Sequence, residues 1–374
     1  MNMVTDLNKI PVPAYIQAIA PYVGGKPISE VAREYGLDEN NIVKLASNEN
    51  PLGMPESARQ AMLQTFDELA RYPDGNAYDI RAALAQKFRV PMDWVTLGNG
   101  SNDILVLAGH AFLQPGASAV YSQYSFVVYA LATQETGARA IVVPATPGLG
   151  HDLEAMLGSI EADTHLVFIA NPNNPTGTFL PAAEIEAFLQ RVPAHVVVVL
   201  DEAYNEYLVP EQRFDSVEWV RRFPNLIVSR TFSKAYGLAG LRVGYAIAQA
   251  PLTDIMNRIR QPFNVNSLGQ AAAIAALHDH NFLQKSYELN RAGYQQLVQA
   301  FERLRLSFIP SYGNFVLVKV GNAAAVNQAL LKQGVIVRPV ANYGLPEWLR
   351  ISIGLPEENQ AFILALERAL GMAA

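Results

Sequence analysis

The sequence predicts an α/β fold in which a largely parallel sheet is covered by helices on both faces, followed by a smaller α+β unit. Three observations carry that reading. Short, β-branched runs at 118–121, 140–143, 165–170 and 195–200, with a fifth at 225–229, are apolar throughout rather than alternating, as strands buried on both faces are. Helical patterns such as LPAAEIEAFLQRV (180–192) lie between several of them, which is the order expected of parallel strands joined by crossovers. After a long amphipathic stretch at 282–306 the style changes to β–α–β–β–α, from NFVLVKV through VIVRPV and LRISIG to a last helix.

The elements follow in order. Residues 1–45 are punctuated by proline and carry one short helical pattern, ISEVAREYGL, so they read as an arm contributing part of the small domain. Residues 46–265 form the large domain. It opens on ESARQAMLQTFDELA (56–70) and AYDIRAALAQKF (77–88), both with apolar residues at helical spacing. Residues 266–374 form the small domain, with the boundary falling within the helical region 262–306. A length of 374 residues fits about two domains.

Composition narrows the function. Half the residues are hydrophobic and 17% are charged, enough apolar surface for a substantial core. The formal charge of −6 offers no general attraction to nucleic acid or an anionic membrane, so any bound anion must be held by a local cluster of arginines. The absence of cysteine removes disulfides, thiolate metal sites and a thiol nucleophile, and no metal is expected. The first residues, with Asp6 among them, contain no secretory apolar core, and no apolar run is long enough to span a bilayer; a cytoplasmic protein is expected.

Four segments follow predicted strands, where ligands bind in open α/β sheets. LGNGSN (97–102) is a glycine turn opening the apolar helix DILVLAGHAFL, and its free backbone amides suit a phosphate; alone, such a turn is only a turn. NPNNPTG (171–177) sets two Asn-Pro steps in a loop that would present an amide side chain. VVVVLDEAY (196–204) ends an apolar strand on Asp201, which is either a helix N-cap or a carboxylate held against a cation such as a protonated pyridine nitrogen; Tyr204 shares its space if the chain turns helically there. SRTFSKAYGLAGLRVGY (229–245) places Lys234 among small and hydroxyl residues, where a dry pocket would depress its pKa for Schiff-base chemistry, with Thr231, Ser233 and Arg242 ready for a phosphate. Together these supply an amine, a carboxylate for a ring nitrogen, an amide and a phenol for a 3′-oxygen, and a phosphate cradle. That is the set pyridoxal 5′-phosphate (PLP) requires.

The NPNNPTG and SKAYGLAGLRVG strings, with Asp201 to Tyr204, resemble the fold-type I PLP enzymes of aminotransferase class I/II. PYVGGKP (21–27), SNENP (47–51), RYP (71–73) and LRIS (349–352) extend the resemblance to the histidinol-phosphate aminotransferases. The resemblance implies a seven-stranded, mostly parallel sheet. Lys234 would carry the cofactor and move a proton between Cα and C4′, and Asp201 would pair with the pyridinium. Asn174 and Tyr204 would bond the 3′-oxygen, and Tyr124 would stack on the ring. Ser101, Asn102, Thr231, Ser233 and Arg242 would hold the phosphate, joined by Tyr72 from the other subunit of a homodimer; where many relatives have an acid at position 102, this chain has Asn. Substrate would be met by Tyr22, Asn174, Arg338 and Arg350, the two arginines holding in turn the phosphate of histidinol phosphate and a carboxylate of 2-oxoglutarate in a ping-pong cycle. An aromatic amino-acid aminotransferase, a PLP decarboxylase of threonine phosphate and a non-catalytic ligand sensor are the competing readings.

Overall fold

The computed structural model describes residues 11–21 and 24–372. Among these residues two sheets organise the chain. The larger contains β2 (Val95–Gly98), β3 (Ser118–Ser122), β4 (Arg139–Val143), β5 (Thr164–Ala170), β6 (Val197–Asp201), β7 (Leu226–Thr231) and β8 (Gly244–Ile247), in the order β2-β8-β7-β6-β5-β3-β4. The seven-stranded, mostly parallel α/β sheet is therefore present. β7, β6, β5, β3 and β4 run parallel, and β8 alone is antiparallel to both its neighbours. The five apolar runs read from sequence all lie in this sheet.

Burial on both faces explains the composition of the central ones, while β4 at the sheet edge is largely exposed. Along β6, Val198 and Leu200 join one core cluster while Val197 and Val199 join the cluster on the opposite face. β5 divides likewise, with Val167 and Ile169 on one side and Leu166 and Phe168 on the other. A central strand with water on neither face has no position for a polar residue except at its end. Asp201 occupies that end.

The smaller sheet has the order β1-β11-β12-β10-β9, with β1 at Val43–Leu45, β9 at Phe308–Ile309, β10 at Phe315–Lys319, β11 at Val335–Pro339 and β12 at Trp348–Ser352. Its core includes Leu297 and Phe301 of the long helix His280–Arg303 and Phe362 of the helix Pro356–Ala369. β1 belongs to this sheet although it precedes the larger one in the chain, pairing parallel with β11. Residues 46–50 then leave the small sheet and run along the large one. The helix expected over 56–70 spans only Glu56–Leu63, with a separate short turn of helix at Phe66–Glu68. No helix among the described residues is long and apolar enough to cross a membrane.

Candidate active site

The carboxyl ends of β5, β6 and β7 open on one cavity whose walls include Ala170, Asp201 and Thr231, the last residue of each strand. Ser101 and Asn102 enter it from the first turn of the helix Ser101–Phe112, and Ser233, Lys234 and Arg242 from the segment between β7 and β8. Arg338 and Arg350 reach it from the small sheet, and Ala46, Ser47 and Asn48 from the irregular segment that follows β1. All four segments singled out in the sequence meet here.

Asp201 is 5% exposed. Its Oδ2 accepts a hydrogen bond from the Tyr129 hydroxyl at 3.0 Å. Its Oδ1 is buried with no hydrogen-bond partner among the described residues; the Ala203 amide acts on the carboxyl electrostatically without ordinary hydrogen-bond geometry. Burial pushes this carboxyl up to about 7, against the Tyr129 hydrogen bond, which favours the ionised form. An anion so poorly solvated lacks a cation.

Lys234 faces the same space. Its Nζ donates to the Ser47 carbonyl at 3.2 Å and lies 5.8 Å from the centre of the Tyr204 ring. Burial draws its ammonium down to about 8, and the positive charges of Arg350 and Arg242 act in the same direction. About a tenth of the amine is thus neutral and nucleophilic at pH 7, far more than of an ordinary lysine.

Tyr204 caps the short helical turn Asn205–Tyr207, which turns its ring inward as the sequence suggested. Its hydroxyl accepts from Asn48 Nδ2 at 3.0 Å, leaving its own proton to donate. In the NPNNPTG loop the two remaining asparagines before Asn174 serve the loop itself. Asn171 bonds the backbone of Leu180, and Asn173 bonds the carbonyl of Tyr124 and the hydroxyl of Thr176. Asn174 lines the cavity, and its Oδ1 accepts from an Arg350 guanidinium nitrogen at 2.6 Å. Its amide is thereby oriented as a donor toward the cavity.

The fit to a phosphate is made by close approach. Gly100 has φ +86, and a Cβ there would stand 2.3 Å from the Arg242 guanidinium. A Cβ on Gly244 would stand 2.2 Å from the Ser101 amide nitrogen. Only glycines let Arg242 and β8 close against the amino end of the helix. Arg242 is fixed by donating to Ser233 Oγ at 3.3 Å and to the Ala239 carbonyl at 2.9 Å. Helix amides, three hydroxyl side chains and a guanidinium converge there, as a phosphate monoester requires. With the unpartnered Asp201 oxygen and the depressed Lys234 amine, these residues fit PLP.

Four expected site residues need comment. Tyr124 packs with Leu317, Val340 and Leu345, and Phe126 lines the cavity. The turn after β3 places the second aromatic, not the first, at the head of the helix Val127–Gln134. Arg350 lies in the middle of β12, directly opposite Arg338 of β11. Tyr72 is 82% exposed and stacks on Phe263, ring centres 4.8 Å apart, and it does not line this chain's own cavity. Tyr22 lies outside the described residues. Asn48, Phe126 and Tyr129 were given no role from sequence. A tyrosine inside an otherwise apolar helix was the available signal for Tyr129, because a buried phenol needs a partner.

Fold and cavity together define an aminotransferase. The model of the aminotransferase class I and II family matches residues 40–366, and the chain belongs to that family. It is 70% identical over 368 residues to histidinol-phosphate aminotransferase 1 of Cupriavidus pinatubonensis, covering 97% of this chain and 98% of that protein. It is 68% identical over 365 residues to histidinol-phosphate aminotransferase 2 of Ralstonia nicotianae, covering 96% and 97%. Among solved structures, histidinol-phosphate aminotransferase from Sinorhizobium meliloti in complex with pyridoxal 5′-phosphate superposes with a TM-score of 0.89 at 30% identity, covering 97% of this chain and 98% of that one.

Proposed function

We propose that this enzyme is a PLP-dependent histidinol-phosphate:2-oxoglutarate aminotransferase. The observation that carries the cofactor is the buried, unpartnered Oδ1 of Asp201 sharing a cavity with the desolvated Lys234 amine. The pairing of Arg338 with Arg350 at the cavity supports an anionic substrate, and the names of the 70% and 68% identical relatives supply its identity.

When bound, PLP supplies an electron sink for the electrons of the substrate Cα–H bond. The chain's residues do the rest. Lys234 would hold the cofactor through its amine and, once free, would move the proton released at the substrate Cα. Asp201 would keep the proton on the pyridine nitrogen. Asn174 and Tyr204 would hold the 3′-oxygen, and Phe126 would cover a ring face in the place expected of Tyr124. Ser101, Asn102, Thr231, Ser233 and Arg242 hold the phosphate. Arg338 and Arg350, with Tyr22, receive the anionic end of either substrate, so one site serves both half-reactions.

A homodimer completes the site, with Tyr72 reaching the cofactor phosphate of the partner. Its exposure, and its absence from its own chain's cavity lining, support that assignment. The deciding experiment compares histidinol phosphate with phenylalanine as donors to 2-oxoglutarate. A preference above about tenfold in kcat/KM for histidinol phosphate, roughly 1.4 kcal/mol, is expected; the reverse preference makes this an aromatic amino-acid aminotransferase.

A further inference from the structure

We propose that Tyr129 is a positioning residue for the cofactor: through its hydrogen bond to Asp201 it fixes which carboxylate oxygen meets the pyridine nitrogen and keeps that carboxylate ionised. Tyr129 is given this role on the reading that the cavity holds PLP.

The geometry is specific. Tyr129 is fully buried on the helix Val127–Gln134. Its ring stacks on Phe168 of β5 with centres 4.7 Å apart and planes 4° from parallel, and meets Phe126 edge-on at 6.1 Å and 89°. A ring held on two sides has little freedom to swing, so its hydroxyl sits at one place. That place is 3.0 Å from Asp201 Oδ2. The opposite oxygen, Oδ1, is the one without a partner, and Asp201 lines the cavity. Rotation of the carboxylate would exchange the two oxygens; the tyrosine makes them inequivalent. The same phenol touches Phe126, so one residue braces both the ring-nitrogen partner and the aromatic wall.

Electrostatics point the same way. An aspartate this buried favours its protonated form, and a protonated Asp201 could not hold the pyridinium proton. A phenol donating to the carboxylate favours the ionised form. The other titratable groups acting on the pair are Lys234, Glu202, Tyr204 and Tyr343, with Arg350 acting on Tyr204. None of these has a hydrogen bond to Oδ2 among the described contacts.

The test uses the PLP-loaded full-length enzyme and the pH titration of its lysine-linked cofactor absorbance near about 420 nm. Loss of the pyridinium charge makes the lysine-linked nitrogen hold its proton more tightly. Tyr129→Phe therefore raises the midpoint by about half a pH unit or more. Tyr121→Phe, which removes another buried hydroxyl from the same aromatic cluster, leaves the midpoint in place. Difluorotyrosine at 129, a stronger donor of nearly the same shape, moves the midpoint the other way and reports even if the phenylalanine variant folds poorly. In an Asp201→Asn background, Tyr129→Phe has no further effect. Equal midpoints for the wild type, Tyr129→Phe and the difluorotyrosine protein would overturn the role. Absence of any titrating band in the wild type would instead overturn the cofactor reading.

Discussion

Arg338 and Arg350 face each other as direct partners in the antiparallel pair of β11 and β12, two guanidinium-bearing residues at one rung of the small sheet. Like charges placed opposite each other repel across a sheet, and an anion bound between them offsets part of that repulsion. Arg350 is 7% exposed and does more than wait for substrate: it holds Asn174 through its 2.6 Å bond and the Ala46 carbonyl through a 2.8 Å bond. Arg350→Lys, which keeps the charge but loses the fork, lowers kcat/KM by about 10- to 100-fold. Combined with Asn174→Ala the losses fall short of multiplying, because the two residues share one bond. Steady-state kinetics on the single and double variants measures the coupling.

Asp201→Asn separates stability from activity. The folded-state pKa of Asp201 is raised from 3.8 to about 7, so between these values the folded protein binds the extra proton and the cofactor-free form loses stability as pH rises. The amide can still accept the Tyr129 hydroxyl but has no charge to desolvate. Cofactor-free Asp201→Asn is expected to be more stable than the wild type above about pH 7, by on the order of 1–3 kcal/mol, while turnover falls about a thousandfold or more. Denaturant melts of the two cofactor-free proteins at pH 5 and pH 8 read the difference; an equal gain at both pH values would sink the account.

Lys234 sets the pH at which cofactor attaches. Only the neutral amine attacks an aldehyde, and its pKa is drawn down to about 8. The rate at which PLP is captured by the cofactor-free protein should rise about tenfold per unit below that value and level off above it. Borohydride trapping at timed intervals gives the profile. A rate still climbing steeply at pH 9.5 would mean an amine as basic as one on the surface.

Gly244 lies at one register position with Gly98 of β2 and Thr231 of β7. Gly244→Ala would drive a methyl to 2.2 Å from the Ser101 nitrogen, moving the helix start away from the phosphate position. The expected result is about 1–3 kcal/mol of lost stability and PLP affinity weakened about tenfold or more, read by melting and by cofactor titration.

Mixing two dead variants tests the assignment of Tyr72. Lys234→Ala and Tyr72→Ala subunits, unfolded and reassembled together, form mixed dimers in which one of the two sites has both residues intact if Tyr72 serves its partner. Recovery of about a quarter of wild-type activity is expected from random pairing. No recovery would place Tyr72 in its own subunit's site or outside catalysis altogether.

Much of this site is legible because parallel sheets gather their functional residues at strand ends, and the apolar runs mark those ends to within about two residues, the run at 225–229 stopping short of Thr231, the last residue of β7. Asp201, Thr231 and the loop after Ala170 can each be assigned to the ligand-binding edge of the sheet from the sequence itself. Tyr124 and Phe126 could not be told apart that way. Both are aromatics in one short turn, and the direction each ring takes depends on one or two backbone dihedrals that carry no periodic signal. β8 was hidden in a glycine-rich motif, since four residues beginning with glycine show neither length nor alternation. Asn48 carries no local signal of its role, because its partners Tyr204 and Ser352 lie 156 and 304 residues away.

β1 raises a matter of timing. Val43, Lys44 and Leu45 find their partner strand at Val335–Val337, roughly 290 residues further along. A ribosome that has delivered the whole large sheet has still left β1 without its neighbour, and with it the stretch carrying Ala46, Ser47 and Asn48. The cofactor's seat therefore acquires its last wall only when synthesis is nearly over. A chain released early could have its central strands in order and still be unable to close around PLP, exposing an unpaired edge instead.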